Sequence, residues 1–110
     1  MNHYTTIHTS TVDGFDIVLS TTPEHEAPDW EFDSDQDRQD TLEKIDRGDL
    51  AWFVARVQAF KCGVLLGEEY LGGCCYDKES DFVGESGYYD DMVQNAIDSA
   101  RAKLAELAGE

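Results

Sequence analysis

The stretch LAWFVARVQAF, residues 50–60, constrains the fold more than any other part of the chain. It is rich in aromatic and β-branched residues, and it carries no acid. Its side chains alternate between a mixed set (Trp52, Val54, Arg56, Gln58) and a wholly apolar set (Phe53, Ala55, Val57, Ala59). Alternation with a period of two is typical of a strand with one buried face, so the segment predicts a central strand of a sheet.

Further strands are predicted on both sides of this segment. Residues 64–77, VLLGEEYLGGCCYD, predict one or two strands broken at Gly67 and at Gly72-Gly73. Near the start of the chain, HYTTIHTSTV and FDIVLSTT flank Asp13-Gly14, a residue pair that favours the tight turn of a β-hairpin. These segments together predict one antiparallel sheet of about four strands.

Two helices complete the predicted fold. A short acidic helix runs from about Asp35 to Arg47, with Ser34 and Asp37 in capping-box spacing and Gly48 as its stop. A longer C-terminal helix runs from about Tyr88 to Leu107, with an apolar stripe of Tyr89, Met92, Val93, Ala96, Ile97, Ala100 and Leu104. The predicted fold class is α+β, as a single domain over residues 1–110.

The net charge limits the kinds of partner that the protein can bind. The chain has 24 acidic and eight basic residues, for a net charge of −16. Such a field repels nucleic acid and anionic membranes and attracts basic protein surfaces. We therefore expect no direct binding to nucleic acid or to a membrane. Without a transmembrane run, or a charged-then-apolar leader before MNHYTTIHTS, the expectation is a cytoplasmic protein.

The charge is concentrated in two parts of the chain. Residues 24–49, the first acidic block, hold eleven acids and three bases. Residues 68–91, the second acidic block, hold eight acids and one base, whereas residues 50–67 between them hold only Arg56 and Lys61. Two separated blocks of this kind can form one charged face if the fold places them side by side.

The front of the first block imitates a calcium loop. Asp33, Asp35 and Asp37 would occupy positions one, three and five of an EF-hand. Position six, which requires glycine for the sharp turn, is Arg38, and position twelve, which requires a bidentate glutamate, is Lys44. The sequence therefore does not predict an EF-hand, and we expect no metal or other cofactor.

The three cysteines, Cys62, Cys74 and Cys75, show no zinc-finger or C-x-x-C spacing. We expect reduced thiols of structural character. A nucleophilic cysteine is the enzymatic alternative, but acidic neighbours raise a thiol pKa and so disfavour the thiolate. The sequence also lacks a Gly-rich phosphate loop, a G-x-S-x-G elbow and an H-E-x-x-H helix, so we expect a protein that is not an enzyme.

The acids themselves are the candidate binding residues. In DWEFD an extended backbone turns Trp30 and Phe32 inward and the acids outward, about 6.6 Å apart. This spacing is of the same order as that of backbone phosphates, which lie about 3.4 Å apart along a DNA strand. The equally weighted alternative is a solvated loop that leads into a helix N-terminus. The candidates in the first block are Asp29, Glu31, Asp33, Asp35, Asp37, Asp40 and Glu43, and those in the second block are Glu68, Glu69, Asp77, Glu79 and Asp81.

Tyr88 and Tyr89 are candidate aromatic anchors for a partner, because interface hot spots favour tyrosine. The alternative for this pair is packing of the helix start onto the sheet. Sequence alone leaves both open.

From Gly67 to Val93 the chain resembles the small acidic proteins encoded by bacteriophages and mobile elements. The resemblance rests on the G-G-x-x-Y turn of residues 72–76, the pair Tyr88-Tyr89 and the D-D-M-V helix start of residues 90–93. In size and charge the chain is also similar to anti-CRISPR and antirestriction proteins, several of which act as DNA mimics. This second likeness is one of character and carries no functional residue across.

The sequence leads to one main hypothesis and two alternatives. The main hypothesis is a non-enzymatic inhibitor that binds a basic, nucleic-acid-binding protein or complex of the host, with carboxylates in the places of phosphates. The first alternative is a phage accessory or structural protein whose acidity serves docking or solubility, with a discrete homo-oligomer, such as a homodimer, as its sign. The second alternative is the cysteine enzyme.

Overall fold

The computed structural model describes residues 4–24, 34–85 and 87–108. Within these residues, four strands and three helices follow one another. They are β1 (Thr5–Val12), β2 (Phe15–Pro23), α1 (Asp35–Arg47), β3 (Ala51–Lys61), β4 (Val64–Tyr76), α2 (Asp81–Glu85) and α3 (Tyr88–Leu107). The strands form one antiparallel sheet in the order β1-β2-β3-β4. The predicted α+β fold, with a short helix and a longer C-terminal helix, is confirmed.

The hairpin between β1 and β2 has the predicted tight turn. Val12 pairs with Phe15, which leaves Asp13 and Gly14 as a two-residue loop. Both turn residues have positive φ, 53° at Asp13 and 84° at Gly14. Positive φ at both central positions is the requirement of a type I′ turn, which matches the right-handed twist of the strands.

The alternating apolar side chains of β3 are the ones that the structure buries. Phe53, Ala55, Val57 and Ala59 are each at most 1 % exposed. The intervening side chains, including Arg56, are only half-buried. Because β3 lies between β2 and β4, its predicted central position is confirmed.

β4 is one continuous strand, so the predicted breaks at Gly67 and at Gly72-Gly73 are wrong. Its pairing with β3 shifts register twice, between the partners of Phe53 and Ala55 and between those of Ala59 and Phe60. At the first shift Gly72 and Gly73 together lie opposite Val54, which is one residue more than regular pairing allows, and Gly73 has a φ of 68°. The glycines therefore produce bulges, which bend a strand without ending it.

α3 covers the sheet face that carries the apolar side chains of β3. Its buried residues are Tyr89, Met92, Val93, Ala96, Ile97 and Ala100, as the stripe predicted, and Leu104 is half-buried against the same core. Among the described residues, no helix is both long and apolar enough to cross a membrane.

α1 is built differently from α3, because none of its residues is buried. The Ser34 side chain caps its N-terminus by accepting a hydrogen bond from the Asp37 backbone N–H at 3.1 Å. Gly48, with a φ of 80°, ends the helix in the left-handed conformation. Both predicted ends are therefore confirmed, and the helix depends on local interactions more than on packing.

The sequence did not predict α2. This five-residue helix follows the turn after β4 and places Phe82 in the core with no exposed surface. The Phe82 ring packs edge-to-face on Phe53, Tyr76 and Tyr89. α2 thus closes the core at the end of the sheet where β4 stops and α3 starts.

Candidate partner-binding surface

The structure places part of the first acidic block on α1. Asp35, Asp37, Asp40 and Glu43 are all exposed on this helix. The candidates Asp29, Glu31 and Asp33 lie outside the described residues.

Some of the acidity of α1 has a local structural role. Asp35 and Asp37 lie in the first turn, where carboxylates stabilise a helix through its dipole. Asp40 accepts a hydrogen bond from the Gln36 side chain at 2.9 Å. These contacts leave the carboxylates at the surface, so a structural role and a binding role are compatible.

Glu68 and Glu69 project from opposite faces of β4. Glu68 lies opposite Gln58 and accepts a hydrogen bond from its amide at 3.2 Å, on the face that points away from α3. Glu69 lies opposite Val57, on the face that α3 covers. The two adjacent acids therefore do not form one row, as expected for successive residues of a strand.

The rest of the second block lies where β4 ends. Asp77 follows the strand directly and is exposed, whereas Asp81 starts α2 and is half-buried. Between them, Glu79 is half-buried and accepts a hydrogen bond of 2.7 Å from the hydroxyl of Thr21, a core residue that is 2 % exposed. Glu79 thus fixes the turn to β2 as well as adding charge.

The sheet topology brings these acids to one end of the molecule. Ala51, the first residue of β3, pairs with Tyr76, so the chain leaving α1 enters the sheet beside Asp77. β2 stops at the same end of the sheet, where Glu24 accepts a hydrogen bond from the Gly73 N–H at 3.1 Å. The start of α3 adds two further carboxylates. We call this set the acidic end; it comprises Glu24, Asp77, Glu79, Asp81, Asp90 and Asp91.

Positive charge at the acidic end is sparse. Lys78 is the base within the turn, and two salt bridges join other described residues. They connect Arg47 to Asp49 and Arg101 to Asp13, both at 3.2 Å and both exposed. The second bridge lies at the opposite end of the sheet, beside the β1–β2 turn. The paired base Arg101 thus lies away from the acidic end.

The two candidate tyrosines have different surroundings. Tyr89 is 7 % exposed, and its ring contacts His8 at 6.0 Å and Phe82 at 6.4 Å between centroids. Tyr89 thus packs the helix start onto the sheet. Tyr88 is 58 % exposed and lines a surface hollow of about 340 Å³ beside the Gly72-Gly73 bulge. Tyr88 is accordingly the better-placed aromatic anchor.

Two of the three thiols, Cys74 and Cys75, are poorly suited to nucleophilic chemistry. Burial, with a smaller contribution from the Glu24 carboxylate, raises the pKa of Cys74 to about 11. Burial and the carboxylate of Asp77 also raise the pKa of Cys75. Cys62 is exposed in the β3–β4 turn. In the part of the chain that the structure describes, no three His, Cys, Asp or Glu side chains are grouped to hold a metal ion.

Sequence reasoning missed three members of the acidic end: Glu24, Asp90 and Asp91. Their positions in the chain are distant, and only the pairing of strand ends brings them together. The available signal was the predicted sheet. Strands β2 and β4 both pair antiparallel with β3, so both must finish at the end of the sheet where β3 begins.

No protein-family model, curated protein or solved structure matches this chain. The charge and geometry of the chain itself are therefore the observations that bear on its function.

Proposed function

We propose that this protein is a non-enzymatic inhibitor that binds the nucleic-acid-binding surface of a basic partner and occupies it in place of DNA or RNA. A bacterial defence complex, such as a CRISPR or restriction system, is the kind of target proposed. The observation that carries the proposal is the acidic end, where carboxylates from three separate parts of the chain lie together at one end of the sheet.

The physical basis is electrostatic complementarity. A surface that binds nucleic acid presents lysine and arginine side chains to phosphates. Carboxylates accept the same charge-assisted hydrogen bonds from these side chains, and a net charge of −16 accelerates the approach of a basic partner. Exposed α1 extends the negative surface beyond the sheet, with Asp40 and Glu43 at the middle of the helix.

Local structure does not account for the whole acidic end. Asp81, Asp90 and Asp91 lie in the first turns of α2 and α3, where the helix dipole favours an acid. Asp77 lies in neither helix, and it remains exposed beside Lys78. Concentrated like charge also costs stability through repulsion, which favours a binding role over solubility alone.

The test is capture of partners from a bacterial lysate on the immobilised protein, followed by competition with labelled duplex DNA. We expect the captured partner to bind either DNA or this protein, and its affinity for this protein to fall at least about tenfold between low and high salt. A partner that holds both ligands at once, or whose affinity is insensitive to salt, would overturn the proposal.

A further inference from the structure

β1 forms one outer edge of the sheet, and its composition is unusual for an exposed edge. The strand TTIHTSTV has no charged residue, and residues 1–12 contain no Asp, Glu, Lys or Arg. Within the described ranges 4–24, 34–85 and 87–108, β1 pairs with β2 alone. Edge strands are usually protected against further pairing by charge, proline or bulges.

The opposite edge, β4, has this protection. It carries Glu68 and Glu69, and its pairing with β3 shifts register twice. β1 has a single shift, between Thr6 and His8, after which the pairing is regular from His8 to Val12. The two edges therefore differ in their readiness to accept another strand.

The turn geometry shows which groups of β1 point outward. Val12 and Phe15 flank a two-residue loop and form a hydrogen-bonded pair, and such pairs alternate along an antiparallel ladder. Ser10 and His8 are then the next hydrogen-bonded positions, so Thr9 and Thr11 direct their backbone N–H and C=O groups to the outer edge. Both threonines are exposed.

We infer that the β1 edge binds a second copy of this chain, strand to strand and antiparallel, to form a continuous sheet across a two-fold axis. The charge distribution favours a second copy as the occupant. Two chains of −16 repel each other over most of their surface, but at β1 they meet without like charges. Asp13, the nearest acid in sequence, is in a salt bridge with Arg101. A basic partner would find no attraction at this neutral edge.

Two-fold pairing of this kind has a geometric consequence. Because paired β1 strands run in opposite directions, the two acidic ends lie at opposite ends of the dimer. The dimer therefore presents two separate acidic surfaces, each with access to its own partner. The inference does not depend on the proposed function, since a neutral edge pairs in the same way whatever the acidic ends bind.

Sedimentation velocity over a wide concentration range, at low and high salt, tests the dimer. We expect a species of twice the 12.3 kDa chain mass. Its dissociation constant should decrease as salt rises, because salt screens the repulsion between the protomers. For a basic partner the dissociation constant should instead increase as salt rises. The two salt dependences are opposite, so one experiment can reject the dimer without rejecting the proposed function, and the reverse.

Two edge variants test the site of pairing. Thr9→Pro removes an outward N–H and leaves the ladder with β2 intact, and we expect it to weaken the dimer at least about tenfold. Thr9→Glu places like charges at the edge and should do the same, while Asn95→Glu adds the same charge on the exposed side of α3 and should have a much smaller effect. Circular dichroism checks that each variant is folded. If Thr9→Pro does not fold, the dimerisation of Thr9→Glu is the result that tests the site of pairing. A monomer under all conditions, or edge variants that dimerise as well as Asn95→Glu, would overturn the inference.

Discussion

Gly67 of β4 and Ala96 of α3 are in direct backbone contact, because the carbonyl oxygen of Ala96 lies too close to the Cβ position of residue 67 for any side chain to fit there. The backbone nitrogen of Ala100 lies 2.9 Å from the same position. The glycine therefore sets how closely the C-terminal helix approaches the sheet, and it does so against backbone atoms that have no rotamer to adjust.

Gly67→Ala should therefore destabilise the fold. α3 must move away from β4, and overpacking of this kind costs about 1–3 kcal/mol of unfolding free energy. Gly84→Ala is the matched control, because nothing lies within 4 Å of a Cβ at that position in α2. We expect the control to be neutral or stabilising by up to about 1 kcal/mol. Chemical denaturation measures both, and equal effects would contradict the close contact.

Ser34→Ala should loosen α1 without affecting the core. The variant loses the capping hydrogen bond to the Asp37 N–H, which is typically worth about 1 kcal/mol. Because α1 has no buried residue, its amides should exchange hydrogen about fivefold faster, while those of α3 stay unchanged. Ser99→Ala, at an exposed position within α3, is the control. Faster exchange throughout the protein would show that α1 is coupled to the core.

Thr21→Val should weaken the attachment of the β4–α2 turn. The hydroxyl of Thr21 donates a 2.7 Å hydrogen bond to Glu79, and its loss should cost about 1 kcal/mol because the carboxylate is still partly solvated. Thr22→Val, the neighbouring half-buried position on the opposite face, controls for strand propensity. Thermal unfolding compares the two, and a Thr21→Val variant as stable as Thr22→Val would remove the structural role of Glu79.

Alkylation at mildly alkaline pH should follow the exposure of the thiols. Cys62 is exposed and should react fastest, whereas burial raises the pKa of Cys74 and of Cys75 and so lowers the thiolate fraction of each. For Cys74 the pKa rises from 9.0 to about 11, so the folded state disfavours its thiolate. The associated stability is present below pH 9.0 and is lost as pH rises toward about 11. Mass spectrometry measures the rates, and fast labelling of Cys74 or Cys75 would revive the enzymatic alternative.

Local signals in the sequence predicted most of the elements. These signals are the turn pair Asp13-Gly14, the alternation of residues 52–59, and the helix caps Ser34 and Gly48. Each depends on residues that are close in sequence, and each element has the predicted form. α2 was missed because five residues are too few to show helical periodicity, although Phe82 in this helix is fully buried. β4 stays continuous through its glycines because β3 supplies a partner along its whole length.

The candidate surface was less predictable, because strand pairing assembles it. Glu68 and Glu69 are adjacent in sequence and lie on opposite faces, whereas Glu24 and Asp77 are far apart in sequence and lie at the same end. A charge count along the chain does not contain this information. The helical period, by contrast, placed Tyr89 in the buried stripe, and the structure leaves its neighbour Tyr88 exposed.

The most direct test of the central claim compares two charge-matched variants in competition with labelled duplex DNA for the captured partner. The first carries Asp77→Asn, Asp81→Asn and Asp91→Asn at the acidic end, and the second carries Asp16→Asn, Asp98→Asn and Glu106→Gln elsewhere on the surface. Each removes three carboxylates, so total charge is held equal. We predict that the first loses affinity by about tenfold or more while the second stays within about twofold of the unmodified protein. Equal losses in both variants, or no loss in either, would contradict a binding surface at the acidic end.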